Sequence, residues 1–123
     1  MLTSSTLVAF VGTAKPDQAR TFYEQTLGLR LVADEPFALV FDANGVPLRV
    51  AKVPAAQPAP YTVLGWSVAD IRAVVGALTA NGVLFERYDG MGQDDLGIWT
   101  SPGGARVAWF KDPDGNVLSL TQG

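Results

Sequence analysis

The feature that most narrows the fold is an internal repeat, which any candidate architecture must accommodate twice. In the first half, residues 7–12 form a short β-type apolar run. Lys15-Pro16-Asp17 then opens a helix, with proline tolerated in its first turn. Ala19, Phe22, Tyr23 and Leu27 recur at helical spacing, and Gly28 closes the segment in the manner of a left-handed cap. Three strand-like runs follow at 29–33, 37–42 and 46–53, the last two joined by the hairpin signal Asn44-Gly45. The second half begins again with a strand over 61–68. Asp70 is a good N-cap for a helix over 70–80, in which Ile71, Val74, Val75 and Leu78 share one face. Asn81-Gly82 closes that helix, and strands are predicted at 83–88, 97–101, 106–111 and 116–121. Leu27-Gly28-Leu29 matches Asn81-Gly82-Val83, and the turn 42–45 matches 112–115; a glycine- and aspartate-rich loop around 89–104 takes up the extra length. Strand, helix, then several strands, written twice, predicts an α+β fold of two βαβββ modules in one chain. Module one spans 1–53 and module two 61–123, with a proline- and alanine-rich linker at 54–60 that cannot continue a central strand.

Composition sets the chemical limits. The 123 residues are 48% hydrophobic and 17% charged, enough apolar surface for a core without staples. There is no cysteine, so disulfides and thiolate metal sites are excluded. There is also no histidine, which removes the commonest general base and the commonest metal ligand. Ser-His-Asp and Cys-His catalysis are excluded with it. A net charge of −3 argues against nucleic-acid or anionic-membrane partners, and no apolar run reaches the ~20 residues of a membrane span. The cytoplasm is the expected location.

Two motifs, one per module, resemble a known family. Phe22-Tyr23-Glu24-Gln25-Thr26-Leu27-Gly28-Leu29 resembles the FYxxxLGL signature of the vicinal oxygen chelate superfamily. Trp109-Phe110-Lys111-Asp112-Pro113-Asp114-Gly115-Asn116 resembles its FxDPDGN signature. That superfamily holds glyoxalase I, extradiol dioxygenases, methylmalonyl-CoA epimerase, and fosfomycin- and bleomycin-resistance proteins. The resemblance implies βαβββ modules whose curved mixed sheets form a cup. It does not imply one activity, because one fold hosts several.

Enzymes of that superfamily usually hold a divalent metal through His or Glu on the first and last strands of each module. By register these positions fall here on Val8, Arg49, Val63 and Ser119. Two aliphatic side chains, a cation and a neutral hydroxyl make no ligand set for a divalent ion. A shift of one residue brings Leu, Ala, Val or Thr into the same places, with no carboxylate or imidazole among them. The expectation is therefore no metal and no cofactor.

Strand alternation divides the remaining residues. Leu7, Ala9, Val11, Leu48, Val50, Leu64, Trp66, Val68, Leu118 and Leu120 form a uniformly apolar face suited to lie under the helices. Val8, Phe10, Gly12, Arg49, Ala51, Val63, Gly65, Ser67, Val117, Ser119 and Thr121 form a smaller, mixed face suited to line a ligand cup. From these and the aromatics, the candidate ligand-binding set is Val8, Phe10, Phe41, Arg49, Ala51, Val63, Gly65, Tyr88, Met91, Trp99, Trp109 and Ser119. Each has a plainer reading. Arg49 either forks onto a ligand carboxylate or phosphate, or pairs with a structural carboxylate. The aromatics either stack a planar ligand or fill core. The acidic loop 89–97 is either a lid or a solvated connection. The 112–116 segment is a turn, with proline, glycine and Asp/Asn in their usual turn roles.

The expected function is metal-free binding of a small organic ligand in an aromatic-lined cup, in the manner of bleomycin-resistance proteins, which implies a homodimer. A lyase, isomerase or dioxygenase-like enzyme with a non-standard site is the first alternative, and Glu86, Tyr88 or a loop aspartate would have to serve it. A protein-interaction or regulatory scaffold is the second.

Overall fold

A computed structural model describes all residues, 1–123. The chain folds as two compact units, Met1–Pro58 and Ala59–Gly123.

In the first unit, β1 (Ala9–Thr13) leads to α1 (Pro16–Thr21), and then β2 (Arg30–Asp34), β3 (Ala38–Ala43) and β4 (Val46–Lys52) complete the sheet. The strand order is β1-β4-β3-β2, with β1 parallel to β4 and the other neighbours antiparallel. The expected long helix is instead a six-residue α-helix continued by a π-helical turn over Phe22–Thr26. That turn closes through the Leu27 N–H donating to the Phe22 carbonyl at 2.9 Å, after which Gly28 reverses the chain at φ +78°. The FYxxxLGL segment thus shapes a wide turn. It drives Tyr23, wholly buried, against Phe41 with ring centroids 5.8 Å apart. Leu39, Phe41, Leu48 and Val50 complete this core.

On the same side, Asp34 accepts from Lys52 at 2.6 Å and from Arg20 of α1 at 3.2 Å. The hydrogen bond from Lys52 outweighs the opposing desolvation, and the charges of Lys52 and Arg20 add to it, holding the Asp34 carboxyl below its usual range. At β3–β4, Asn44 (φ +52°) and Gly45 (φ +90°) form the expected hairpin turn, fastened by the Gly45 N–H donating to the Asp42 carboxylate.

In the second unit, β5 (Thr62–Ser67) and α2 (Ile71–Ala80) are followed by β6 (Trp99–Thr100), β7 (Arg106–Lys111) and β8 (Val117–Gln122), in the order β5-β8-β7-β6. Asp70 caps α2 as its position suggests, its side chain accepting from the Ala73 N–H at 3.2 Å. Ile71, Val75 and Leu78 bury the apolar face of α2, and Ala108, Phe110, Leu118 and Leu120 form the buried sheet face. The Gln122 side chain accepts from the Ile71 N–H at 2.8 Å and ties the helix start to the last strand.

One predicted strand is corrected. Residues 83–88 are not a strand, because only Phe85 pairs, in a single bridge to Phe110. The turn 112–116 stands as read: the Asp112 carboxylate accepts from the N–H groups of Asp114 and Asn116 and from the Asn116 amide, at 3.0, 2.9 and 2.8 Å. No helix is long and apolar enough to cross a membrane.

Candidate functional site: an aromatic face on the second sheet

Cross-strand register defines the faces of each sheet. In the first unit, Phe10 lies opposite Arg49, which lies opposite Val40; Gly12 and Ala51 lie opposite each other on the same face. Phe10 is 62% exposed there. Arg49 does not present a free fork, since its guanidinium sits 3.5 Å from the Glu35 carboxylate. Both side chains are partly exposed, which makes this a weak ion pair. Phe41 belongs to the other face. It pairs with Leu48, is wholly buried and meets Tyr23, so it is core. Val8 precedes β1 and is exposed.

The second sheet carries a coherent surface. Gly65 lies opposite Ser119 and Ser119 opposite Trp109; one row along, Ser67 lies opposite Thr121, Thr121 opposite Val107, and Val107 opposite Trp99. All share the face away from α2. Trp109 is its centre: the Trp99 ring lies 6.0 Å away, tilted by 37°, and the Tyr88 ring meets Trp109 edge-on at 5.5 Å and 79°. Both separations lie in the favourable range for aromatic pairs, and the Tyr88–Trp109 angle is the favoured edge-to-face one. Beside them runs a polar column of Ser67, Ser119 and Thr121.

Gly65 lets the two strands meet closely there, because a Cβ at that position would come within 2.8 Å of the Ser119 hydroxyl and force it to move. Val63 does not belong to this alternation. Thr62 pairs with Val117 and Leu64 with Leu118, so Val63 is the extra residue of a bulge. Glu86, a candidate acid, sits 3.4 Å from Lys111.

The 89–97 loop is not an open lid. Arg87 donates to the carbonyls of Asp94 and Asp95 at 2.8 and 2.7 Å. Asp94 accepts from the N–H groups of Leu96 and Ile98, both at 2.9 Å, and from Arg72 at 3.2 Å. Met91 lies within this fastened loop, its N–H donating to the Tyr88 carbonyl at 3.2 Å. Gln93, whose amide bonds both ends of the loop, stands outside the candidate set; its one signal in the sequence is a single neutral amide in an otherwise acidic, glycine-rich segment.

The donor set at the four superfamily ligand positions does not fit a divalent metal. Val8 and Val63 have no donor atoms, Arg49 is cationic and paired with Glu35, and Ser119 offers a neutral hydroxyl. No group of three or more carboxylates stands together elsewhere.

Comparison with known proteins agrees with this architecture. The family model of the Glyoxalase/Bleomycin resistance protein/Dioxygenase superfamily matches residues 7–120, and the chain belongs to that superfamily. A superfamily member from Sphaerobacter thermophilus DSM 20745 superposes with a TM-score of 0.77 at 24% identity, over 100% of both chains. TnmS3, an antibiotic binding protein from Streptomyces sp. CB03234, superposes with a TM-score of 0.73 at 26% identity, over 99% of this chain and 98% of its own. A lactoylglutathione lyase from Agrobacterium tumefaciens superposes at 0.74 with 16% identity, over 98% and 94%. No curated protein matches the sequence.

Proposed function

We propose that this protein binds a small, planar organic molecule without a metal, and that the ligand stacks on Tyr88, Trp99 and Trp109 of the second sheet. The observation that carries the reading is this triad, gathered on the face that the helix leaves open and flanked by Ser67, Ser119 and Thr121. A mostly apolar wall with a few placed hydroxyls is the usual make-up of a small-molecule site. Likeness to an antibiotic binding protein supports the same direction. The absence of a carboxylate or imidazole set at the superfamily's ligand positions supports binding over metal-dependent catalysis, and the reading includes a cytoplasmic homodimer.

The test is a thermal-shift and tryptophan-fluorescence screen of planar aromatic antibiotics and aromatic acids. A hit at 100 times its dissociation constant stabilises the fold by ~2.7 kcal/mol. It should quench tryptophan emission, and Trp109→Ala should abolish both effects. Hits that bind Trp109→Ala as well as the native chain would refute the site.

A further inference from the structure

We propose that Gln93 is a positioning residue for this face: its amide holds Tyr88 edge-on to Trp109 before any ligand arrives. The inference rests on the reading of the triad as the ligand site.

Tyr88 needs such a hold because it has no strand register to supply one. The segment leading to it makes only the single bridge at Phe85. What replaces the ladder is a relay of hydrogen bonds that begins on β7. The Glu86 N–H donates to the Trp109 carbonyl at 2.7 Å. The Glu86 carbonyl accepts from Gln93 Nε2 at 2.8 Å, and Gln93 Oε1 accepts from the Tyr88 N–H at 2.7 Å. The backbone of Trp109 and the backbone of Tyr88 are thus joined through one side chain. The second proton of Nε2 goes to the Gly97 carbonyl at 2.8 Å, which anchors the far end of the loop to the same amide. Gly97 stands at φ +86°, with its virtual Cβ 3.3 Å from that of Phe85, so the returning chain is closely fitted there.

An amide is the side chain that suits this place. It accepts once and donates twice, whereas a carboxylate would set a negative oxygen against two carbonyls. Arg87 and Asp94 fasten the rest of the loop independently, so loss of Gln93 should release Tyr88 while the loop stays closed. A ligand would then have to order the Tyr88 ring itself, which weakens binding by roughly three- to tenfold.

The experiment compares the native chain, Gln93→Leu, Tyr88→Ala and the double variant. The first readout needs no ligand: the ultraviolet circular-dichroism signal of the coupled Tyr88, Trp99 and Trp109 rings. Gln93→Leu should reduce it towards the Tyr88→Ala level while the helical signal is kept. The second readout is binding of two planar probes, 9-aminoacridine and 2-naphthoate. Gln93→Leu should weaken whichever binds by roughly three- to tenfold and should have no further effect in the Tyr88→Ala background. An unchanged ring signal in Gln93→Leu, or additive losses in the double variant, would overturn the proposal. If neither probe binds the native chain, the ring signal still decides the role of Gln93, while the ligand reading fails on its own. Should Gln93→Leu not fold, Gln93→Glu keeps the acceptor for the Tyr88 N–H and should give an intermediate ring signal; full native signal there would equally overturn the proposal.

Discussion

Replacing Asp112 should test whether the most conspicuous motif of the chain is a structural turn. Asp112 is 6% exposed, and its carboxylate accepts from the Asp114 N–H, the Asn116 N–H and the Asn116 amide at 3.0, 2.9 and 2.8 Å. In Asp112→Ala, the Asp114 N–H can turn to water because Asp114 is only half-buried. Asn116 is 7% exposed, so both of its donors lose the carboxylate in a place that water reaches poorly. At about 1–3 kcal/mol for each buried donor that loses this acceptor, the loss is about 2–6 kcal/mol, a large share of a typical domain's stability. Asp112→Asn keeps one acceptor oxygen for the backbone donors but sets its own NH2 against the Asn116 amide, and should cost about half as much. Urea unfolding followed by far-ultraviolet circular dichroism measures both, and the slope should stay native-like. A loss under about 1 kcal/mol in Asp112→Ala would refute the reasoning. So would equal losses in the two variants, or loss of probe binding by a variant that is demonstrably folded.

Other outcomes follow from the same structure. Phe41→Ala, which empties a wholly buried site against Tyr23, should cost about 3–5 kcal/mol in urea unfolding and leave the probe affinity of the folded protein unchanged. Arg49→Ala should change neither stability nor probe affinity appreciably, since it removes one partly exposed ion pair with Glu35. Asp34 has a folded-state pKa below its ordinary 3.8, so it binds its proton less readily folded than unfolded. Its contribution is therefore present above pH 3.8 and lost as pH falls through the lowered folded value. Asp34→Asn should flatten that part of a low-salt stability–pH curve, and an unchanged curve would remove Asp34 from the account. Gly65→Ala should destabilise by about 1–3 kcal/mol because its methyl meets the Ser119 hydroxyl at 2.8 Å, and Ser119→Gly in the same chain should restore part of the loss.

Much of the fold was legible in the sequence because its signals are local. Asp70 caps α2 with its own side chain, Asn44-Gly45 takes the backbone angles that its residue types favour, and period-two alternation separates Leu118 and Leu120 from Ser119. Bulges were not legible. A single extra residue at Val63, and another at Val32 between the paired Leu31 and Ala33, has no residue type that announces it. The π-helical turn over Phe22–Thr26 was hidden for a related reason, because apolar spacing does not distinguish it from the end of an α-helix. At the candidate site, Trp109 and Ser119 could be placed by alternation along regular strands. Phe41 could not, because aromatic character alone does not say which face a residue takes, and β3 puts it against Tyr23 of the π-helical turn. Tyr88 and Gln93 depend on side-chain hydrogen bonds across a loop, which follow no periodicity.

The most direct test of metal-free binding is a titration of one planar probe into the native protein before and after exhaustive treatment with a chelator, read by tryptophan quenching. The proposed function predicts the same dissociation constant in both samples, with binding lost in Trp109→Ala. Loss of binding on chelation, restored by adding back a divalent cation, would contradict it.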